Sequence, residues 1–225
     1  MTNRDNVLWQ QCWCDRQTDF HRAPVSALLS KFWAGLELGE GSRVFVPMCG
    51  MSLDMIWLAE QGHEVIGVEL SPIAVRAFFR TNQLEPVRTQ VGDFERWQFG
   101  KLSILCGDYF SLHRSDLGQI DAVYDRASLT ALAEGIRRQY VAQLRLLIPD
   151  ACKIFLLTIE DAQEWEATDQ ARGAAEEINS LYSIDFDFGL VHVEGICETN
   201  PDLPDQPPER AFHKIYRMSA KSGTR

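Results

Sequence analysis

Short apolar runs alternate with amphipathic stretches along much of the chain, which predicts strands and helices in turn. Val44–Val46 and Val65–Val68 are typical of buried parallel strands. The segment between them carries apolar residues at helical spacing, with Ser52 as the predicted cap, Asp54 near the positive end and Gly62 as the stop. Together these features predict a β-α-β unit with a right-handed crossover.

The pattern continues beyond this unit and predicts the fold. Further strands are predicted at Leu102–Cys106, Ile120–Tyr124 and Lys153–Ile159, with a terminal hairpin of Phe186–Cys197 and Ala211–Met218. Helices are predicted at 25–33, from Ser71-Pro72, at 136–147 and over 171–181, while residues 85–100 form either short extensions or a hairpin. This order predicts an α/β, Rossmann-like fold: a seven-stranded, mostly parallel sheet with an antiparallel last strand and helices on both faces.

Two residues at the ends of the first two strands carry candidate chemistry. Gly50 lets the backbone approach a ligand, and Glu69 follows it by 19 residues, near the spacing of roughly 20 at which an acidic residue binds a ribose diol. One glycine stands where a dinucleotide site has three, and no lysine follows to form a phosphate loop. The pattern therefore favours S-adenosylmethionine over NAD or ATP. The alternative is a β-α-β unit without a ligand, in which Glu69 is salt-paired.

Later strand ends carry further candidates. Asp108 can accept a hydrogen bond from an exocyclic amine while Tyr109 packs on a base; alternatively, they are a turn aspartate and a core aromatic. Asp125 and Arg126 end the fourth strand, where α/β sheets build sites, although such a pair is also found as a purely structural one.

The N-terminal segment is aromatic. Trp9 and Trp13 share one face of a predicted helix, and Phe20 and His21 follow. Aromatic rings attract a sulfonium cation as they attract ammonium, so one hypothesis is an aromatic lid over the site. The alternative is that the segment is core that covers the sheet.

Composition disfavours several classes of binding partner. A net charge of −10 disfavours nucleic acid and anionic membranes. The six cysteines lack metal-finger spacing and the five histidines do not cluster, so no metal site is predicted. No apolar run reaches membrane-spanning length, and the N-terminus lacks the apolar stretch of a signal peptide. We expect a cytoplasmic monomer that acts on a small molecule.

These residues resemble those of the bacterial thiopurine S-methyltransferases, a branch of the Rossmann-like class I methyltransferases. The resemblance is carried by Trp9-x3-Trp13 with Phe20-His21, Pro47-Met-Cys-Gly-x-Ser-x-Asp54, Gly67-Val-Glu-Leu-Ser-Pro72, Cys106-Gly-Asp-x-Phe110, Val123-Tyr-Asp-Arg-Ala127 and His213-Lys-Ile-Tyr216. It implies S-adenosylmethionine as methyl donor and S-adenosylhomocysteine as product.

The resemblance also implies roles for individual residues. The cofactor would be bound by Trp9, Trp13, Met48, Gly50, Glu69, Leu70, Asp108, Tyr109 and Arg126. Phe20 would contact the acceptor, and Arg210 is a stand-in for a family arginine before the last strand. We further hypothesise that Arg126 stabilises a developing thiolate, which makes it the catalytic candidate.

The implied reaction is methyl transfer to the sulfur of a small aromatic or heterocyclic thiol. After residue 160 the chain is acidic where the family carries a proline- and glycine-rich loop, so other acceptors stay open. These are an oxygen or nitrogen nucleophile, with His21, Glu160 or Asp161 as base, and a selenium or tellurium oxyanion. A non-catalytic protein that binds S-adenosylmethionine is the remaining alternative.

No repeat or linker interrupts the chain, so residues 1–225 are predicted to form one domain. Within it we expect an N-terminal lid at 1–38, a cofactor-binding core at 43–160, and an acceptor-side cover with the terminal hairpin at 161–218.

Overall fold

The computed structural model describes residues 3–15, 24–161, 176–198 and 209–221. The chain forms two compact units, Met1–Tyr124 with Leu146–Pro149, and Asp125–Arg145 with Asp150–Arg225. The prediction of a single domain stays a prediction.

The first unit contains the predicted β-α-β arrangement. Its helices are α1 (Asn3–Cys14), α2 (Ala27–Phe32), α3 (Asp54–Glu60), α4 (Pro72–Thr81) and α5 (Arg114–Leu117), with single turns of 3₁₀ helix at Trp33–Leu36 and Tyr109–Ser111. Its strands are β1 (Arg43–Val46), β2 (Glu64–Glu69), β3 (Val87–Val91), β4 (Phe94–Phe99) and β5 (Leu102–Cys106), and β6 (Ala122–Arg126) begins here and ends in the second unit.

The strands of the first unit are ordered β3-β4-β5-β2-β1-β6. β1 pairs in parallel with β2 and β6, and β2 pairs in parallel with β5, so the carboxyl ends of these four strands lie at one edge. β3 and β4 form the antiparallel hairpin that the sequence left open. The apolar residues of β1 and β2 are buried, as their continuous hydrophobic runs predicted.

The second unit contains helices α6 (Glu134–Leu147, apart from its last residues) and α7 (Glu176–Tyr182), with strands β7 (Lys153–Asp161), β8 (Phe186–Glu198) and β9 (Glu209–Ala220). β9 pairs antiparallel with both β7 and β8, which confirms the antiparallel last strand.

Two local predictions are corrected. The described residues contain nine strands rather than seven, because residues 85–100 form the additional strands β3 and β4. The helix α3 begins at Asp54 with Leu53 at its cap, while the Ser52 hydroxyl accepts from the Asp54 N–H at 3.3 Å. By contrast, Ser71 caps α4 as predicted, with Pro72 in its first turn.

Within the described ranges, no helix combines the length and the apolar character needed to cross a membrane.

The described part of the predicted helix over 171–181 is α7.

Candidate active site

The loops that follow β1 and β5 are attached to the end of β2, one from each side. The Cys49 N–H donates to the Val68 carbonyl at 2.9 Å, and the Gly107 N–H donates to the Glu69 carbonyl at 2.9 Å. Both loops are therefore fixed at the edge where open α/β sheets bind their ligands.

Glu69 lies between these loops and is only 7% exposed. Its Oε1 accepts from the Ser71 N–H at 2.7 Å, and its Oε2 accepts from the Gly50 N–H at 2.9 Å. The structure therefore brings Gly50 and Glu69 together, as their spacing predicted. No lysine, arginine or histidine in the described ranges forms an ion pair with Glu69.

Burial dominates the electrostatics of this carboxylate. Loss of hydration raises the pKa of Glu69 from 4.5 to about 6, although hydrogen bonds from the N–H groups of Ser71, Gly50 and Leu70 act in the opposite direction. An ionised carboxylate accepts about four hydrogen bonds. Ser71 and Gly50 make the two direct hydrogen bonds, one to each oxygen, and the Leu70 N–H has the smallest of the three effects. The remaining acceptor capacity matches the two hydroxyl donors of a ribose.

Gly50 and Trp13 form a wall beside Glu69. Gly50 has φ +52°, a backbone conformation in which a side chain is strained. A Cβ built on Gly50 would lie 3.5 Å from Trp13 Cζ2, and Trp13 is 7% exposed on α1. Met48, half-buried in the same loop, also has a positive φ of +45°, which is uncommon without glycine. Trp9, one helical turn before Trp13, is half-buried.

These residues fit a sulfonium nucleoside. Glu69 offers acceptors for a diol, Gly50 gives close backbone approach, and the Trp13 indole supplies a ring of the kind that attracts cations. All three belong to the first unit.

Asp108 and Tyr109 lie after β5 but differ in accessibility. Asp108 is half-buried, and its Oδ1 accepts from the Phe110 N–H at 2.9 Å, which starts the 3₁₀ turn. Tyr109 is 3% exposed, stacked on Phe45 with ring centroids 6.4 Å apart, and edge-on to Phe110 at 5.2 Å. Tyr109 therefore has the contacts of a core aromatic, and adenine contact by either residue stays a prediction. Leu70, also half-buried, follows Glu69 directly.

Arg126 ends β6 and is half-buried in the second unit. The next residue, Ala127, has φ +64°, so the turn that follows Arg126 is strained. Asp125 is fully buried and accepts from the Tyr140 hydroxyl at 2.6 Å and from the Ser128 N–H at 3.3 Å. Burial raises the pKa of Asp125, and the Tyr140 and Ser128 hydrogen bonds oppose that rise. Cofactor contact by Arg126 stays a prediction.

Glu160 is the one candidate base whose side chain is described. It is 11% exposed, pairs with Lys214 at 2.6 Å, and accepts hydrogen bonds from the hydroxyls of Thr158 at 2.7 Å and Tyr216 at 3.0 Å. These contacts hold Glu160 as part of a buried network. Phe20 and His21 lie outside the described residues, as do the side chains of Asp161 and Arg210.

Two residues near the site have contacts that were not recognised in the sequence. A Cβ on Gly67 would lie 2.7 Å from Cys49 Sγ, so this glycine permits the loop after β1 to pack on β2. A glycine inside an apolar strand is the signal that pointed to it. Asp54 was assigned only to the start of a helix, but its carboxylate has distant partners in Ser26 and Tyr124.

Comparison with known proteins identifies the family. The model of the family described as thiopurine S-methyltransferase matches residues 4–221. The chain is 52% identical over 221 residues to a thiopurine S-methyltransferase of Stutzerimonas stutzeri, which covers 98% of this chain and 93% of that protein. The chain belongs to the thiopurine S-methyltransferase family. A Nitrosospira multiformis member is 37% identical over 215 residues, covering 95% of this chain and 97% of its own.

Solved structures agree on the fold. A SAM-dependent methyltransferase from Anabaena variabilis superposes with a TM-score of 0.63 at 14% identity, over 96% of this chain and 95% of that one. A TehB-like SAM-dependent methyltransferase from Corynebacterium glutamicum gives 0.55 at 15% identity, over 96% and 98%. The predicted family, the Rossmann-like methyltransferase fold and the enzyme class, a SAM-dependent methyltransferase, are confirmed.

Proposed function

We propose that this chain binds S-adenosylmethionine beside Glu69 and transfers its methyl group to the sulfur of a small aromatic or heterocyclic thiol. The observation that carries the proposal is the Glu69 carboxylate, held by the Gly50 and Ser71 N–H groups with acceptor capacity left over. Membership of the thiopurine S-methyltransferase family supports the acceptor class.

The chain's own residues would bind the cofactor, orient it toward the acceptor and exclude water from the site. The cofactor would supply a methyl group bonded to a positively charged sulfur. The acceptor thiolate would attack the methyl carbon on the side opposite that sulfur, so that a thioether forms and S-adenosylhomocysteine leaves. Glu69 would hold the ribose hydroxyls, and the Gly50 backbone would admit the nucleoside closely. Trp13, and with it Trp9, would shield the sulfonium from water, which favours alignment of the two sulfur atoms.

No strong base is required for this reaction, because an aromatic thiol ionises readily. The buried contacts of Glu160 with Lys214, Thr158 and Tyr216 disfavour it as the base that an oxygen or nitrogen acceptor would need. Arg126 would stabilise the thiolate charge.

Calorimetry with S-adenosylmethionine and S-adenosylhomocysteine tests the binding site. We expect Glu69→Ala to weaken binding at least about 30-fold, because charged hydrogen bonds to both hydroxyls are lost. Glu60→Gln, an exposed position on α3, is the control and should bind as the wild type does. Equal affinity of Glu69→Ala and wild type would exclude Glu69 as the ribose ligand.

A panel of acceptors tests the reaction. Release of S-adenosylhomocysteine should be fastest with aromatic and heterocyclic thiols, and slower with phenols, amines, selenite and tellurite. Turnover confined to an oxygen, nitrogen or oxyanion acceptor would reject thiol methylation, and binding without any turnover would favour a non-catalytic protein. Light scattering tests the expected monomer, and cell fractionation tests the expected cytoplasmic location.

A further inference from the structure

Asp54 is a fully buried carboxylate that the proposed reaction does not use. Its Oδ1 accepts from the Ser26 N–H at 2.7 Å, and its Oδ2 accepts from the Tyr124 hydroxyl at 2.7 Å. Ser26 caps α2 and Tyr124 lies in β6, so one carboxylate joins three parts of the first unit.

A series of hydrogen bonds leads from Asp54 to the site. The Asp54 N–H donates to the Ser52 hydroxyl at 3.3 Å, and the Ser52 N–H donates to the Cys49 carbonyl at 3.0 Å. The next residue, Gly50, donates its N–H to Glu69. The segment Met48–Ser52, here named the glycine loop, is thus held between Asp54 at one end and Glu69 at the other.

We propose that Asp54 is a positioning residue, which acts through the glycine loop to hold the Gly50 N–H on Glu69 and the Gly50 backbone against Trp13. The inference rests on the proposed function, because it assigns a role in forming the same cofactor site. Burying a carboxylate is unfavourable unless its acceptors are filled, and here the filled acceptors connect the loop to α2 and to β6.

Aromatic packing fixes the Tyr124 ring, whose hydroxyl donates to Asp54. Tyr124 is 1% exposed and stands edge-on to Trp33 at 6.1 Å, so its hydroxyl is directed by a ring that is itself packed. Both groups that donate to Asp54 lie on other elements, the Ser26 N–H on the cap of α2 and the Tyr124 hydroxyl on β6. An asparagine at position 54 has one amide oxygen to accept from Ser26, and the Tyr124 hydroxyl would have to turn from donor to acceptor. Both contacts would then lose the negative charge that strengthens them, so the glycine loop would be held less firmly to α2 and β6.

Three variants test the proposal. Asp54→Asn keeps the shape of the side chain but loses one acceptor, and Tyr124→Phe keeps the ring but loses the hydroxyl. Ile148→Val is the matched control, a fully buried core change in the same unit. The control lies away from the glycine loop. The residue after Ile148, Pro149, lines a surface cavity together with Gly118, which precedes β6 and so lies at the opposite edge of the parallel strands.

Two readouts separate positioning from stability. Calorimetry should show the dissociation constant of S-adenosylhomocysteine raised about 10-fold in Asp54→Asn and about 3-fold in Tyr124→Phe. Amide exchange followed by NMR should be at least about tenfold faster at Gly50 and Ser52 in both variants, without cofactor. Ile148→Val should lower the melting temperature but leave both readouts within about twofold of wild type.

The outcomes are distinct. Unchanged affinity and unchanged exchange in a folded Asp54→Asn would overturn the positioning role while leaving the proposed function standing. If Asp54→Asn does not fold, Tyr124→Phe decides by the same two measurements. A wild-type chain that binds neither S-adenosylmethionine nor its product would overturn the proposed function and this inference with it.

Discussion

At Glu69, burial raises the pKa of one carboxylate while the N–H groups of Ser71, Gly50 and Leu70 lower it. Burial favours the protonated form and has the larger effect, so the pKa rises to about 6. Without ligand, the raised pKa stabilises the folded state below pH 4.5, and this contribution is lost as the pH rises through about 6. Ribose hydroxyls donate to the ionised form, so cofactor binding should release a proton.

We therefore expect the affinity for S-adenosylmethionine to fall as pH drops below about 6, approaching tenfold per pH unit. Calorimetry from pH 5 to pH 8 measures this slope. Glu69→Gln should bind more weakly throughout, with a flat profile. A flat profile in the wild type would contradict proton release from Glu69.

Arg126 gives a second residue-scale prediction. Replacing it by Glu should lower kcat/KM for thiols roughly 100-fold, because a developing negative charge would lose its partner and face a like charge. Steady-state kinetics measures the effect. Arg138→Glu, an exposed position on α6 with the same change of charge, should leave the kinetics unchanged. Equal kinetics in the two variants would remove Arg126 from the mechanism.

Among the elements, the 3₁₀ turn at Trp33–Leu36 is hydrogen-bonded to His63, which lies in the turn before β2. The Trp33 indole N–H donates to His63 Nε2 at 3.0 Å, and His63 is 6% exposed. Burial, together with the nearby Lys101 charge, lowers the pKa of His63. Protonation would also remove the acceptor of Trp33, so the neutral ring belongs to the folded state.

A lowered histidine pKa gives stability that is present above pH 6.5 and lost as pH falls through the folded-state pKa. Denaturant unfolding between pH 5 and pH 7.5 should show this slope in the wild type. His63→Gln should lack this slope. Glu69 contributes in the opposite direction in both proteins, so the difference between the wild-type and His63→Gln curves gives the contribution of His63 alone. His113→Gln, whose side chain is 80% exposed, is the control. The same slope in His63→Gln would reject the assignment.

The sequence was most informative for elements whose signals are local. Ser71-Pro72 marks the start of α4 and the apolar runs mark β1 and β2, so the β-α-β unit was predictable from the chain itself. The β3–β4 hairpin was left open because Val87–Gln90 are exposed, and without a buried face there is no alternation to detect.

Longer-range features gave no such signal. The partners of Asp54 lie 28 and 70 residues away, and no local pattern connects them. Tyr109 after a strand end is equally consistent with a base-stacking ring and a core ring, and only packing on Phe45 separates the two. The Gly50–Glu69 contact was predictable because a β-α-β unit fixes where its two strand ends meet.

For the whole molecule, the net charge of −10 sets the electrostatic conditions of the reaction. An acceptor that carries its own negative charge approaches against this field, and salt screens the repulsion. We expect kcat/KM for a carboxylated aromatic thiol to rise with ionic strength between about 10 and 150 mM. A neutral thiol of the same skeleton is the control and should respond little. A fall with salt for the anionic thiol would indicate a locally cationic entrance.

The close packing of Cys49 on Gly67 has a consequence for chemical durability. Burial and the neighbouring Glu69 raise the pKa of the Cys49 thiol well above its usual value, so little thiolate is available to react with oxidants. The Cys49 side chain is 6% exposed and its sulfur packs against Gly67, so reagents in solution have little access to it. Among the cysteines whose side chains are described, Cys49 in the glycine loop is buried, whereas Cys14 on α1 is exposed and is the more accessible to oxidants and alkylating reagents.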